Sequence, residues 1–179
     1  MSITAQQSTA VPTGSWNADR VHSSVSFEVT YMGLQIFRGE VKDFDASLVD
    51  RELSGSARIA SLVTKDENLQ AHLLSPEFFD AERFPEVGFS GTAVETAGPE
   101  VAFEGEITIK GITRPATLTG VVVGPVEDPY GNERYSLQLD TTIDRTEFGI
   151  LWNAEMPNGT KALADDVTLR AELSLVKQA

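Results

Sequence analysis

Few side chains in this sequence could carry out acid–base, nucleophilic or metal chemistry. The chain has two histidines, His22 and His72, and no cysteine, which excludes thiolate nucleophiles and cysteine-ligated metals. The run Gly88-Phe89-Ser90-Gly91 is similar to the nucleophile elbow of hydrolases, but Thr92 stands where that motif ends in glycine. No stretch supplies a nucleophile, a base and an oxyanion donor together. The sequence therefore predicts no catalytic residues, no metal and no cofactor.

In the absence of catalytic or metal-binding groups, an apolar interior is the feature of this sequence that could bind a ligand. Apolar and polar residues alternate along most of the sequence, for example from Val21 to Tyr31, from Val101 to Ile109 and from Val167 to Leu175. A period of two is typical of strands with one buried face. Short links such as Lys110–Pro115 join neighbouring runs, so consecutive strands must be antiparallel. The pattern predicts an all-β domain of about eight strands, either a closed barrel or a sandwich.

One segment departs from this alternation. Leu69 and Leu73 are four residues apart, as on one face of a helix, and Pro76 follows them. We predict a short helical excursion near residues 65–80 that lays Phe78 and Phe79 over an opening in the sheet.

Glycines within the strand patterns allow two interpretations. Gly105 and Gly120 stand in apolar rows, where a side chain would point inward. They either mark bends that let long strands coil, or they leave space for a ligand channel. A barrel of about eight strands is large enough to spare one ligand site.

Composition and charge narrow the classes of partner. The 179 residues include 14 Lys and Arg against 27 Asp and Glu, which gives a formal net charge of −13. This charge disfavours nucleic acid and anionic membranes. No run approaches the ~18 apolar residues of an integral membrane segment. Residues 1–14 lack the basic and apolar regions of a signal peptide, so we predict a flexible tail (1–14), a domain spanning 15–179 and a cytoplasmic protein.

Several short blocks between Ser15 and Leu175 follow one another in a recognisable order and spacing. They are Trp16–Asp19, His22–Phe27, Arg38-Gly39, Asn68–Leu73, Phe78–Asp80, Arg83–Val87, Gly105–Pro115 and Asp144–Gly149. In these blocks the sequence resembles the YceI family of polyisoprenoid-binding proteins. It departs from the family at Tyr31, where a histidine is frequent, and at Leu69-Gln70, where Arg-Asp is frequent.

This resemblance implies a fold, a ligand and a site. The fold is an extended, lipocalin-like, eight-stranded antiparallel β-barrel, and the ligand is a long isoprenoid lipid of the quinone or polyprenyl phosphate type, carried or stored rather than converted. Arg145 and Trp152 would face the polar head group of that lipid. The apolar chain would meet inward positions at Phe27, Val29, Phe37, Phe89, Phe103, Ile107, Leu118, Val122, Leu137, Leu139 and Leu169. Each apolar position is alternatively ordinary core, and Arg145 is alternatively a structural hydrogen-bonding or salt-bridging residue.

Other functions stay open at this level. A barrel filled by its own side chains would be a non-enzymatic interaction or stress-response module. An isomerase or hydrolase pocket would require a buried titratable pair with a perturbed pKa. A homodimer through an edge strand or the Phe78–Phe79 surface is also compatible with the sequence.

Overall fold

The computed structural model describes residues 7–8 and 10–179, and this part of the chain consists mainly of β-strands. The strands are β1 (Gln7–Ser8), β2 (Ser15–Ala18), β3 (Ser24–Tyr31), β4 (Gln35–Val41), β5 (Phe44–Val49), β6 (Glu52–Arg58), β7 (Leu62–Val63), β8 (Glu86–Val94), β9 (Val101–Ile109), β10 (Ile112–Glu127), β11 (Glu133–Asp144) and β12 (Leu163–Lys177). The described residues also form one α-helix, α1 (Glu67–Leu74), and two 3-10 turns, Ile59–Ser61 and Arg145–Phe148.

Eight strand positions close into an antiparallel barrel. In order round the wall, β2, β5, β6, β8, β9, β10, β11 and β12 each pair with the next, and β12 pairs back with β2. The strand β3 continues the position of β2 along β12, and β4 pairs with β3 beside it. The predicted eight-stranded, lipocalin-like antiparallel barrel is confirmed, and the sandwich alternative is not formed.

The predicted helical excursion is also present, as α1. The Asp66 carboxylate accepts the Leu69 N–H at 2.8 Å and caps the helix N-terminus. At the other end the Ser75 hydroxyl donates to the His72 carbonyl at 2.6 Å. Leu73 is buried against the barrel core. Within the part of the chain that the structure describes, no helix combines the length and the apolar character needed to cross a membrane.

The two ends of the barrel differ in packing. The end where β11 begins, which we call the packed end, contains side chains that are at most 2% exposed: Trp16, Leu48, Val122, Leu137 and Leu175. Trp16 meets Tyr135 edge to face, with ring centroids 5.1 Å apart. The end where β11 finishes at Asp144, which we call the open end, is covered by α1 and by the loop of residues 149–162.

The predicted flexible tail can be compared with the structure only in part. Residues 1–6 and 9 lie outside the described residues. Gln7 and Ser8 pair with Val123 and Val122 of β10, and Pro12 is buried. The flexibility of residues 1–14 as a whole therefore stays a prediction.

Gly105 and Gly120 lie where neighbouring backbones touch. A Cβ atom on Gly105 would stand 2.0 Å from the Ser90 carbonyl oxygen, and one on Gly120 would stand 1.7 Å from the Gln138 carbonyl oxygen. Neither glycine borders the two cavities described below. These glycines allow close strand approach in a coiled barrel, so the interpretation as ligand space was wrong.

Gly120→Ala should therefore destabilise the protein. A methyl group cannot fit beside the Gln138 carbonyl without moving backbone, so we expect the free energy of unfolding to fall by at least about 2 kcal/mol. Urea unfolding monitored by circular dichroism measures the change. Gly98→Ala is the matched control, because nothing lies within 4 Å of its added Cβ, and it should change stability by less than about 0.5 kcal/mol. Equal stability of the two variants would contradict the close-approach explanation.

Candidate functional site

The barrel interior holds two apolar cavities between the packed end and the open end. The cavity at the open end, which we call the outer chamber, has a volume of about 300 Å³. Its wall includes Val29, Tyr31, Phe37, Ile143, Trp152 and Val167. The cavity nearer the packed end, the inner chamber, has a volume of about 150 Å³. Its wall includes Val25, Phe89, Ile107, Leu118, Leu139 and Leu173.

Strand register arranges these chambers in sequence along the barrel. On β11, Ile143 lines the outer chamber, Leu139 lines the inner chamber, and Leu137 lies in the packed end. Alternate residues of a strand point to the same face, so these side chains follow one another down the interior. From Tyr31 to Val25 on β3 the lining spans about 20 Å, taking the usual rise per residue of a strand. The pore is therefore an elongated apolar slot closed at one end.

Four side chains border both chambers and separate them. This boundary, which we call the septum, consists of Phe27, Phe79, Ile109 and Leu169. The rings of Phe27 and Phe79 meet at a centroid distance of 6.0 Å and an interplanar angle of 64°. Phe27 also packs over Gly39, where an added Cβ would come within 2.4 Å of its ring. The septum therefore combines two aromatic and two aliphatic side chains.

An aromatic cluster forms one wall of the open end. The His72 ring on α1 meets Phe78 and Trp152 edge to face, each with centroids 4.9 Å apart. His72 Nε2 lies 2.5 Å from a carboxylate oxygen of Glu77. Tyr31 is 42% exposed and also lines the outer chamber. Tyr31, His72 and Trp152 therefore bring polar atoms to the outer chamber, while Asp45 and Arg170 border the inner one.

Arg145 is a structural hub of the open end. Its Nε donates to the Ala164 carbonyl at 2.8 Å, and Nη1 donates to the carbonyls of Ile150 and Trp152 at 2.8 and 2.9 Å. Nη2 makes longer contacts with the Leu163 carbonyl and the Asp165 carboxylate, at 3.4 and 3.5 Å. Burial lowers the pKa of the guanidinium from its ordinary value. The five N–H groups are engaged within the chain, which favours the alternative interpretation of Arg145 as a structural residue.

Most of the residues predicted for the ligand site line the cavities. The outer chamber is bordered by Phe27, Val29, Phe37, Arg145, Trp152 and Leu169, and the inner chamber by Phe27, Phe89, Ile107, Leu118, Leu139 and Leu169. Three predicted residues border neither chamber: Phe103, Val122 and Leu137. These three are fully buried in the packed end, where neighbouring side chains leave no space around them.

Several residues that line the chambers were not among the predicted site residues. Leu69 and Leu73 reach the outer chamber from α1, and Ile143 and Val167 reach it from paired strands. Sequence features could have identified these residues. Leu69 and Leu73 share one face of the predicted helix, and Ile143 and Val167 continue the rows of alternating apolar residues. Phe79, expected only to cover the opening, lies at the septum.

A charge network at the packed end lies away from both chambers. Arg134 donates to Asp19 at 2.9 Å and to Asp128 at 2.7 Å. Hydrogen bonds from His22 and from Arg134 lower the pKa of the Asp19 carboxyl to about 2, from an ordinary value of 3.8. The hydrogen bond from Arg134, followed by that from the Asn132 backbone, also lowers the pKa of Asp128. This network ties the start of the barrel to the 128–134 turn.

Arg134→Gln should lower stability near neutral pH and have little effect in acid. A carboxylate with a lowered pKa in the folded state stabilises that state above its unfolded pKa, and loses this contribution as pH falls through the folded pKa. The stability difference between wild type and Arg134→Gln should therefore be full above about pH 5 and shrink between about pH 4 and pH 2. Thermal unfolding midpoints across this range measure it. Arg51→Gln, whose partner Glu95 is 92% exposed at its side chain, should show little difference at any pH.

Known proteins share both sequence and fold with this chain. The family model for the YceI-like domain matches residues 16–175. A UPF0312 protein of Pseudomonas putida (strain W619) is 30% identical over 137 residues, which cover 72% of this chain and 71% of that protein.

Two solved structures have a similar fold. BcnA from Burkholderia cenocepacia gives a TM-score of 0.70 at 19% identity, over 90% of this chain and 99% of that one. A polyisoprenoid-binding domain from Saccharophagus degradans gives 0.71 at 9% identity, over 91% and 98% of the two chains. The match to the domain model spans nearly the whole barrel, from β2 to the last strand. The chain belongs to the YceI family.

Proposed function

We propose that this protein binds an isoprenoid lipid, with the apolar chain in the two chambers and the polar head group at the open end. The observation that carries this proposal is the elongated apolar pore. The wall surface of its chambers, of about 300 and 150 Å³, is predominantly apolar. An apolar cavity of about 150 Å³ is large enough for a benzene-sized group. The two chambers in series fit a branched chain better than a compact ligand.

Affinity in such a pore comes mainly from burial of apolar surface, at about 25 cal/mol per Å². The head group then meets Tyr31, His72 and Trp152. Among the described residues, no hydrogen bond uses the Tyr31 hydroxyl or the Trp152 indole N–H, so both can donate to a quinone carbonyl or a phosphate oxygen. Carriage or storage of the lipid, rather than its conversion, is the role that we infer.

A binding role agrees with the way in which the titratable groups are paired. Asp45 and Arg170, which border the inner chamber, form ion pairs with Arg20, Arg58 and Asp140. The carboxylates Asp19 and Asp128 are held at the packed end by Arg134, and neither borders a chamber. Arg145, which does border the outer chamber, has its donors engaged by backbone carbonyls and Asp165. The self-filled barrel is the less favoured alternative, because it would leave no space for the two chambers.

The first test is organic extraction of protein purified without detergent, followed by mass spectrometry. An isoprenoid in near-stoichiometric amount would support the proposal and identify its class. If the extract is empty, a quinone with an isoprenoid tail is added to the protein. A raised melting temperature with quenched tryptophan fluorescence would support binding. The absence of any response would favour the interaction module.

The two tryptophans make the fluorescence test specific for the open end. Trp152 lines the outer chamber, whereas Trp16 is 2% exposed in the packed end. A quinone head group at the open end should quench the fluorescence of Trp152 and leave the fluorescence of Trp16 unquenched. Trp152→Phe should therefore lose most of the quenching while Trp16→Phe keeps it. Undiminished quenching in Trp152→Phe would put the head group elsewhere.

A further inference from the structure

All four side chains of the septum border both chambers, and Phe79 is the one carried by the loop after α1 rather than by a strand of the barrel. Its ring meets that of Phe27 at a centroid distance of 6.0 Å. Aromatic rings held by packing have neighbours on all sides, whereas a ring between two cavities lacks part of those contacts. The side chain of Phe79 therefore has room to change its rotamer.

The backbone that carries Phe79 is, by contrast, fixed. Its N–H donates to the Leu73 carbonyl at 3.0 Å, and the Asp80 N–H donates to the Ser75 carbonyl at 2.9 Å. Lys110 Nζ donates to the Pro76 carbonyl at 2.8 Å and ties the same segment to the barrel wall. Movement at this position is therefore confined to the side chain, on the timescale of rotamer changes.

The other aromatic member of the septum is held in place. Phe27 lies over Gly39, where any side chain would collide with its ring, and it also meets Phe37 at a centroid distance of 6.0 Å. Ile109 is 2% exposed, so it too is packed. Leu169 lies on β12, paired with Phe27 of β3, so its backbone is fixed in the barrel wall. Opening between the chambers is therefore assigned to Phe79, the member that no barrel strand holds.

We propose that Phe79 determines how long an isoprenoid tail this protein accepts, because its ring must turn aside before a tail can pass from the outer chamber into the inner one. This proposal rests on the proposed function. A short tail fits the outer chamber with the ring in place. A longer tail enters the inner chamber only by displacing the ring. Phe79 therefore reduces the gain in affinity that a longer tail has over a shorter one.

The test compares two quinones with the same head group, one with a tail of two isoprene units and one with six. Their dissociation constants are measured for wild type and Phe79→Ala. Removal of the ring joins the chambers, so the preference for the longer tail should increase at least tenfold. Phe79→Trp enlarges the ring and should reduce that preference below the wild-type value. Phe84→Ala is the matched control, since Phe84 belongs to the same segment, packs against Gly111 and borders neither chamber.

The outcomes separate the two proposals. If wild type binds both quinones but the preference for length is unchanged in Phe79→Ala and in Phe79→Trp, the role of Phe79 is overturned and the proposed function stands. If wild type binds neither quinone, the proposed function fails, and the role of Phe79 fails with it. If Phe79→Ala does not fold, Phe79→Trp alone decides, and an unchanged preference overturns the proposal.

Discussion

Arg145→Leu is expected to lower the free energy of unfolding by about 3–5 kcal/mol, because several buried carbonyls lose their donor at about 1 kcal/mol or more each. Arg145 is 3% exposed, and its guanidinium donates to four backbone carbonyls, from Ile150, Trp152, Leu163 and Ala164. Leucine supplies no donor, so these carbonyls lose their partner in a place that water reaches poorly. Chemical unfolding in urea measures the loss.

The control for this prediction is Asp165→Asn. Asp165 is 45% exposed at its side chain and lies 3.5 Å from Arg145, so the pair is a partly solvated one. Its replacement should change stability by less than about 1 kcal/mol. If Arg145→Leu lowered the free energy of unfolding no more than Asp165→Asn does, the carbonyl contacts of Arg145 would not be what stabilises the open end.

The role of Arg145 also explains the sequence block around it. Asp144 accepts the Thr146 N–H at 2.9 Å and caps the 3-10 turn that follows. Phe148 is 1% exposed, and Gly149 ends the turn with a φ of +72°. A side chain is strained at that φ, so glycine is the residue that fits there. Within this block Arg145 borders the outer chamber, and the other residues hold the turn that positions it.

The barrel could be predicted from the sequence because alternation is a local property. The runs that contain Phe27, Ile107 and Leu139 keep a period of two over many residues, and tight links between runs leave only antiparallel pairing. The helix was equally visible, since Leu69 and Leu73 break the alternation.

The division between cavity and packed core could not be predicted in the same way. Leu137 and Leu139 are the same residue type, two positions apart on the same face of β11, yet only Leu139 borders a chamber. Phe103 and Ile107 differ in the same way on β9. What separates them is how far the opposite strands have converged at each level, which depends on tilt and register rather than on local pattern. Arg145 was ambiguous for a similar reason, because its carbonyl partners come from a loop and a strand up to 19 residues away.

This division changes which variants can test the pore. A substitution at Phe103, which is fully buried in the packed end, would act on folding before it acted on binding. A useful variant fills a chamber without disturbing the packed end. Ile143 meets this requirement, because it is half-buried, lies on β11 and borders the outer chamber.

Ile143→Trp is expected to weaken binding of a quinone with an isoprenoid tail by roughly 50–100-fold, measured as Kd by calorimetry. The indole ring would occupy part of the outer chamber, and a tail that loses about 100 Å² of buried apolar surface loses about 2.5 kcal/mol of binding free energy. Stability should stay within about 1 kcal/mol of wild type, since the added ring enters space that is already present. Thr142→Trp is the matched control, because Thr142 is the neighbouring residue on β11 and its exposed side chain pairs with Thr168 outside the barrel. It should bind the quinone as wild type does. A folded Ile143→Trp protein with wild-type affinity would show that the tail does not occupy the outer chamber, and the proposed lipid site would then have to be abandoned.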